Sequence, residues 1–325
     1  MNGPLVVVGA GAWGTALANA WAQTDGGPVT LLARDERVAS AMSRARENAA
    51  RLPGIALSPR LAIGADPACI QDAGIVAFAV PTQRLGEAAR SLAPHIPADA
   101  VLLGLAKGIE RASGRLPHAV LADALPGRMV AALSGPGFAA DVAAGLPTAV
   151  TVAAPNARVA EELAARLATP ALRPYASDDL VGVETGGALK NILALGVGIA
   201  DGLALGASAK AALTARGFAE MVRLATALGG RAETLSGLSG LGDLVLSCAD
   251  GSRNFRYGAA LARGEDLSGA PLAEGAFTAR MAVAAARERD VEVPIMEAVA
   301  AVLERTITPR DALARLLARP LRAEG

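Results

Sequence analysis

The hydrophobic positions fall into two textures. Short apolar runs at residues 4–8, 29–33, 75–80, 101–105, 129–133 and 149–152 are too short for helices and lack inside–outside alternation. Such runs are expected of strands buried on both faces of a parallel sheet. Helical stretches at 15–23 and 82–92 lie between them, so the order reads βαβα, an α/β layer with helices on both faces. From about residue 178 the β-rich runs stop. Apolar positions then recur at helical spacing over 181–202, 210–228, 255–263, 277–289 and 294–306. We therefore expect an α/β fold with a Rossmann-type parallel-sheet domain over residues 1–180. An all-α domain should follow over 181–325, its tail frayed from Arg319.

Composition narrows the functional classes. The 325 residues are 52% hydrophobic and 19% charged, which excludes disorder and supplies ample core for two domains. Aromatics are 3%, so the core must be built of Ala, Leu and Val. Thirty-one basic residues balance thirty-one acidic ones, leaving no excess for a nucleic-acid footprint. The two cysteines, Cys69 and Cys248, and two histidines, His95 and His118, have no metal-ligand spacing, and no metal is expected. No signal-like N-terminus is present, and no apolar run approaches the roughly 18 residues of a membrane span. The expectation is a reduced, cytoplasmic chain without membrane insertion.

One count has chemical content. Of the 31 basic residues only Lys107, Lys190 and Lys210 are lysines; all the others are arginines. A guanidinium cannot give up its proton, whereas an amine can. With so few histidines, lysine leads the candidates for acid–base work.

Five constellations stand out. Gly9, Gly11 and Gly14 form a G-x-G-x-x-G between the first strand and the first helix, where a dinucleotide pyrophosphate would sit. Arg34, followed by Asp35, ends the second strand, where an acid for ribose hydroxyls is usual. A guanidinium there favours NADPH over NADH, with NAD still possible, although Arg34 can instead stack on adenine or pair with Asp35. Lys107 follows a buried strand, and the Ser134–Ala139 loop, with Gly135 and Gly137, follows another. Ser252, Arg253 and Asn254 open a helical run and combine hydroxyl, guanidinium and amide donors with the positive end of a helix dipole. That suits a phosphate; an N-cap beside a surface arginine would look the same. Finally, Lys190 lies inside an apolar helical stretch, where burial makes an amine's proton easier to lose. Asn191 adjoins it, and Asp243 in GLSGLGD is the candidate acid. A snorkelling lysine is the alternative.

Taken together, GAGAWGTALA, LAKGIE, SGPGFAADVAAGLPTA, GGALKNILALGVGIADGL and GLSGLGDLVLSCADGSRNFRYG resemble the bacterial NAD(P)-dependent glycerol-3-phosphate dehydrogenases over nearly the whole chain. The resemblance implies reversible reduction of dihydroxyacetone phosphate to sn-glycerol 3-phosphate, feeding phospholipid synthesis. It implies Lys190 as the acid/base, held by Asp243 and Asn191, and Lys107 as an electrostatic aid. Lys107, Gly135, Gly137, Lys190, Asn191, Asp243, Ser252, Arg253 and Asn254 become substrate positions. Ala12, Trp13, Arg34, Lys107, Ala139, Arg253, Leu272 and Glu274 join the three glycines as cofactor positions. Two departures from the family pattern are Gly137, where Ser or Thr is usual, and Ala12, which lacks a common hydroxyl. A homodimer is compatible with the Ala- and Leu-rich helical domain. Another two-domain hydroxy-acid reductase, or a dinucleotide sensor without turnover, are the competing readings. The phosphate site argues against the first and Lys190 against the second.

Overall fold

The computed structural model describes residues 3–267 and 274–320. The chain forms two compact units, Met1–Glu110 with Arg115–Glu184 and Arg111–Gly114 with Thr185–Gly325. The division after Glu184 falls inside the helix Leu180–Gly202, not in a linker ahead of it. Residues 111–114 join the second unit, where the Arg111 guanidinium lies 4.2 Å from the centre of the Phe277 ring.

The first unit contains strands β1 (Leu5–Val8), β2 (Val29–Leu32), β3 (Glu47–Asn48), β4 (Leu52–Ala56) and β5 (Leu61–Gly64). It continues with β6 (Ile75–Phe78), β7 (Val101–Gly104), β8 (Val130–Ser134), β9 (Thr148–Ala153) and β10 (Leu172–Ser177). Eight of them form one sheet in the order β10-β9-β8-β7-β6-β1-β2-β5, while β3 and β4 make a separate hairpin. The pleat explains why β1 is apolar at every position. Leu5 and Val7 face a core with Leu17, Leu31 and Leu163, while Val6 and Val8 face a second core with Phe78, Leu85 and Leu121. Burying each such side chain contributes about 1.5–3 kcal/mol, so polar replacements along β1 are not tolerated on either face.

The central strands end level. Val8 lies opposite both Leu32 and Phe78, and Phe78 opposite Gly104. Backbone bonds continue one step beyond, from Gly9 N–H to Leu32 O (2.9 Å), Ala79 N–H to Val8 O (2.8 Å) and Leu105 N–H to Phe78 O (3.1 Å). The chain leaves β1 towards β2 on one side and β6 on the other, so this carboxyl edge contains the switch point where such sheets take ligands.

Three sequence expectations need correction. The sheet is not wholly parallel, because β8 and β9 run antiparallel. The helix between them, Ala139–Ala143, has five residues and is too short to carry the chain back across the sheet. Strands β5 and β10 were not foreseen. Each is an edge strand with one buried position at its start and half-buried or exposed positions after it, and Pro174 breaks the β10 pattern. The first helix begins at Ala12, not Thr15, because Gly11 in extended conformation already serves as its N-cap.

Within the described residues the second unit is helical throughout. Its central helix, Leu180–Gly202, corrects a further expectation. At 23 residues with mean hydropathy 1.3 it is long and apolar enough to cross a membrane by length and composition. However, 89% of its apolar window is buried, which is the signature of a core helix. Glycines let other helices reach its backbone. A Cβ at Gly198 would lie 2.1 Å from the Phe255 carbonyl, and one at Gly258 2.2 Å from the Leu195 carbonyl. The helix Arg253–Arg263 is thus seated backbone to backbone against the helix that carries Lys190.

A buried acid in this unit sets a pH dependence. Glu220 is 2% exposed and accepts hydrogen bonds from the Ile295 (2.8 Å) and Met296 (3.1 Å) N–H groups at the start of the helix Pro294–Leu303. Burial pushes its carboxyl up to about 7, against the pull of those two donors. The folded state therefore holds a proton that the unfolded chain, with an ordinary carboxyl near 4.5, releases earlier. Stability from this group is full below about pH 4.5 and lost as pH rises to about 7. The expected loss is about 2–3 kcal/mol, and Glu220→Gln should remove it. Urea melts of both proteins at pH 5 and pH 8 check this; equal pH sensitivity in the two would rule it out.

Candidate active site

The glycine loop has the geometry a dinucleotide requires. Gly9 has φ +113°, and a Cβ there would lie 2.8 Å from the Ala79 carbonyl at the end of β6. A Cβ at Gly14 would lie 2.2 Å from the Gly9 carbonyl, so the helix can close on the loop only without one. Gly11 is the opposite case: a Cβ there would meet nothing within 4 Å, so its absence keeps open an approach to the backbone. No side chain caps the helix Ala12–Ala22 at Gly11, and its first N–H groups form a donor cluster at the positive end of the dipole. The indole Nε1 of Trp13, in the first turn, is buried with no hydrogen-bond partner among the described residues. These residues fit a pyrophosphate.

Within the same unit, several of the expected cofactor residues lie just beyond strand ends. Arg34 is exposed just beyond β2, while Asp35 turns its carboxylate to its own helix and accepts from Arg37 N–H at 2.7 Å. Lys107, beyond β7, donates from Nζ to the Gly135 carbonyl beyond β8 at 2.9 Å. Gly135 has φ +146° and leaves no room for a side chain, since a Cβ would be 2.9 Å from Val150 Cα. Gly137 faces Trp13, whose Cη2 would be 3.2 Å from a Cβ there. The indole thus crowds the space in which a Ser or Thr would stand. Ala139 opens the helix Ala139–Ala143 and packs on the same core as Trp13. Glu274 is exposed at the start of the helix Glu274–Arg287. Leu272 lies outside the described residues.

In the second unit, Lys190 is 8% exposed and its Nζ donates to Asp243 Oδ1 at 2.8 Å and to Ser247 Oγ at 2.7 Å. Asp243 and Ser247 sit one turn apart on the short helix Asp243–Ser247, and the Asp243 residue is 1% exposed. A π-helical turn, Leu238–Gly242, delivers Asp243 to this position. The snorkelling alternative is thereby overturned, since the ammonium is held inside and not led out to solvent. Ser247 was missed by the sequence reading, although its i+4 spacing from Asp243 was visible there.

Asn191 has its own described partner. Adjacent helical residues project about 100° apart, and Asn191 Oδ1 accepts from Asn254 Nδ2 at 3.0 Å. Asn254 Oδ1 in turn accepts from Gly275 N–H at 3.1 Å. Of the three expected phosphate donors, Ser252 is buried as the N-cap of the helix Arg253–Arg263, Arg253 is exposed, and Asn254 has one N–H already used.

A second acid–base pair was also not foreseen. His118 Nδ1 lies 2.6 Å from Glu184 Oε2, and the His118 backbone N–H also donates to that carboxylate. Burial alone would lower the imidazole, but the Glu184 hydrogen bond and charge raise it overall. Burial raises Glu184 against the pull of His118. Among the described residues no group of three or more His, Cys, Asp or Glu is placed to hold a metal ion.

An open glycine loop at the switch point of a Rossmann-type sheet, together with a buried amine held by a carboxylate, defines a nicotinamide-dinucleotide-dependent dehydrogenase. Family models narrow the class: residues 4–160 match the N-terminal part, and 179–314 the C-terminal part, of NAD-dependent glycerol-3-phosphate dehydrogenase. The chain belongs to the NAD-dependent glycerol-3-phosphate dehydrogenase family. It is 51% identical to glycerol-3-phosphate dehydrogenase [NAD(P)+] of Chelativorans sp. (strain BNC1), with 98% of each chain covered. It is 52% identical to the enzyme of that name from Bradyrhizobium sp. (strain BTAi1), again over 98% of each. The crystal structure of glycerol-3-phosphate dehydrogenase from Coxiella burnetii is similar at a TM-score of 0.91 and 37% identity, covering 98% of this chain and 99% of the other.

Proposed function

We propose that this protein catalyses the reversible reduction of dihydroxyacetone phosphate to sn-glycerol 3-phosphate, with NADPH preferred over NADH. The observation that carries the reading is the buried Lys190 amine bonded to both Asp243 and Ser247. A sensor without turnover has no use for a desolvated ammonium, whereas a ketone reductase must supply a proton to the oxygen that becomes an alcohol. When bound, the reduced nicotinamide supplies the hydride.

The chain's own residues do the rest. Asp243 compensates the Lys190 charge and, with Ser247, fixes two of the three directions in which the ammonium can donate. The ammonium held there gives its proton to the substrate oxygen as charge develops on it and takes the proton back in the reverse direction. Lys107, next to Gly135 and Gly137, adds a positive charge for that oxygen or the phosphate. Arg253 and the remaining Asn254 N–H grip the phosphate and turn its binding energy into orientation of the ketone. Gly9, Gly11, Ala12, Trp13, Gly14, Ala139, Leu272 and Glu274 are assigned to the dinucleotide. The free thiols of Cys69 and Cys248 support a cytoplasmic setting.

The test follows loss of NADPH absorbance with dihydroxyacetone phosphate and with unphosphorylated dihydroxyacetone. Turnover should be fast with the first and depressed in both kcat and kcat/KM with the second. No turnover with the phosphorylated ketone would overturn the reading. Arg34→Ala checks the cofactor preference, since only NADPH carries a 2′-phosphate. It should weaken NADPH by roughly tenfold more than NADH in binding titrations, as a charge-assisted contact does. Equal losses would make Arg34 an adenine-stacking residue instead.

A further inference from the structure

The hairpin of β3 and β4 stands outside the main sheet, yet one of its residues reaches the glycine loop. Asn48 is 3% exposed, and its Nδ2 donates to the Ala10 carbonyl at 3.1 Å and to Thr15 Oγ1 at 2.8 Å. Ala10 is the residue between Gly9 and Gly11, and Thr15 is the first residue after Gly14. One buried amide therefore ties the loop to the first turn of the helix it opens.

The consequence follows from peptide geometry. The Ala10–Gly11 bond is trans, so its C=O and N–H point in opposite directions within one plane. Drawing the Ala10 carbonyl to Asn48 turns the Gly11 N–H away from the hairpin. Gly11 is also the residue with open space where a Cβ would project. Without Asn48 that peptide plane is freer to rotate, because Gly11 on one side of it imposes little steric resistance. We propose that Asn48 is a positioning residue for dinucleotide binding: through the Ala10 carbonyl it fixes the orientation of the Gly11 N–H towards the pyrophosphate. The inference rests on the dinucleotide reading above.

A built-in control exists on the same helix. Asn19 is 1% exposed and also fastens the hairpin region, donating to the Ala56 carbonyl (3.4 Å) and accepting from Ser58 N–H (2.7 Å). These bonds reach no residue of the glycine loop. Asn48→Ala and Asn19→Ala should thus both lower Tm, but they should differ in binding. Titration with NADPH should show a Kd raised roughly 5–20-fold for Asn48→Ala, the scale of one buried hydrogen bond, and a near-unchanged Kd for Asn19→Ala. Adenosine 2′-monophosphate, which has no pyrophosphate, should bind wild type and Asn48→Ala alike. If Asn48→Ala does not fold, the isosteric Asn48→Asp serves, since a carboxylate can accept from Thr15 but cannot donate to Ala10. Equal NADPH losses at Asn19 and Asn48, or an equal loss of adenosine 2′-monophosphate, would overturn the inference and make Asn48 structural. A wild-type chain that binds no NADPH would overturn the dinucleotide reading itself, and the role of Asn48 with it.

Discussion

Replacing Lys190 with methionine is expected to cut turnover about 10²–10⁴-fold, the scale for a lost general acid, while leaving NADPH affinity nearly unchanged. Methionine keeps most of the side-chain volume and removes the proton donor. The expected pattern is a fall in kcat and kcat/KM together, since the proton is given only as the alkoxide forms. Turnover near the wild-type value in a folded Lys190→Met protein would end the assignment. The folding control matters because this change also leaves the Asp243 carboxylate, 1% exposed, without its ammonium.

Removing the other half of the pair should have the largest effect on stability. Asp243→Ala leaves the ammonium of Lys190, whose side chain is 10% exposed, with only the Ser247 hydroxyl of the two bonds described above. Breaking a buried pair in this way costs about 3–5 kcal/mol, because the desolvated charge persists after its partner is gone. Urea denaturation should show the loss as a lower midpoint, and activity should fall as well. The double change Lys190→Met with Asp243→Leu should recover much of that stability and stay inactive. It removes both charges at once, and stability then separates from chemistry. An Asp243→Ala protein as stable as wild type would mean that Asp243 does not compensate Lys190.

Legibility of the sequence followed burial. The strands Leu5–Val8, Ile75–Phe78 and Val101–Gly104 were readable because both of their faces are covered, which makes every position apolar. The edge strands Leu61–Gly64 and Leu172–Ser177 were not, because only their first positions are fully buried and no period survives. The reversal of β9 depends on the length of one loop helix, a quantity that local pattern does not reveal. Lys190 could be picked out as a charge in an apolar run, but its partners lie 53 and 57 residues further on, beyond the reach of spacing arguments. Asp243 was reached through a motif resemblance. Asn48 gave no signal at all. It sits in a polar stretch, and its importance comes from a carbonyl 38 residues earlier in the chain.

The glycine contacts along the Lys190 helix bear on how this unit can move. A helix faced by leucines can roll or slide by small amounts, because side chains change rotamer and take up the difference. Where Gly198 meets the Phe255 carbonyl and Gly258 the Leu195 carbonyl, no side chain intervenes to yield. The two helices behave like a key in a keyway: rotation or translation of either is blocked by main-chain atoms. Asn191 and Asn254 are linked across the same seam, so Lys190, proposed as the acid–base residue, and the residues proposed for the phosphate keep one spacing. On the proposed assignment, motion during turnover carries them as a single block, and the spacing from amine to phosphate residues acts as a ruler for the length of the substrate.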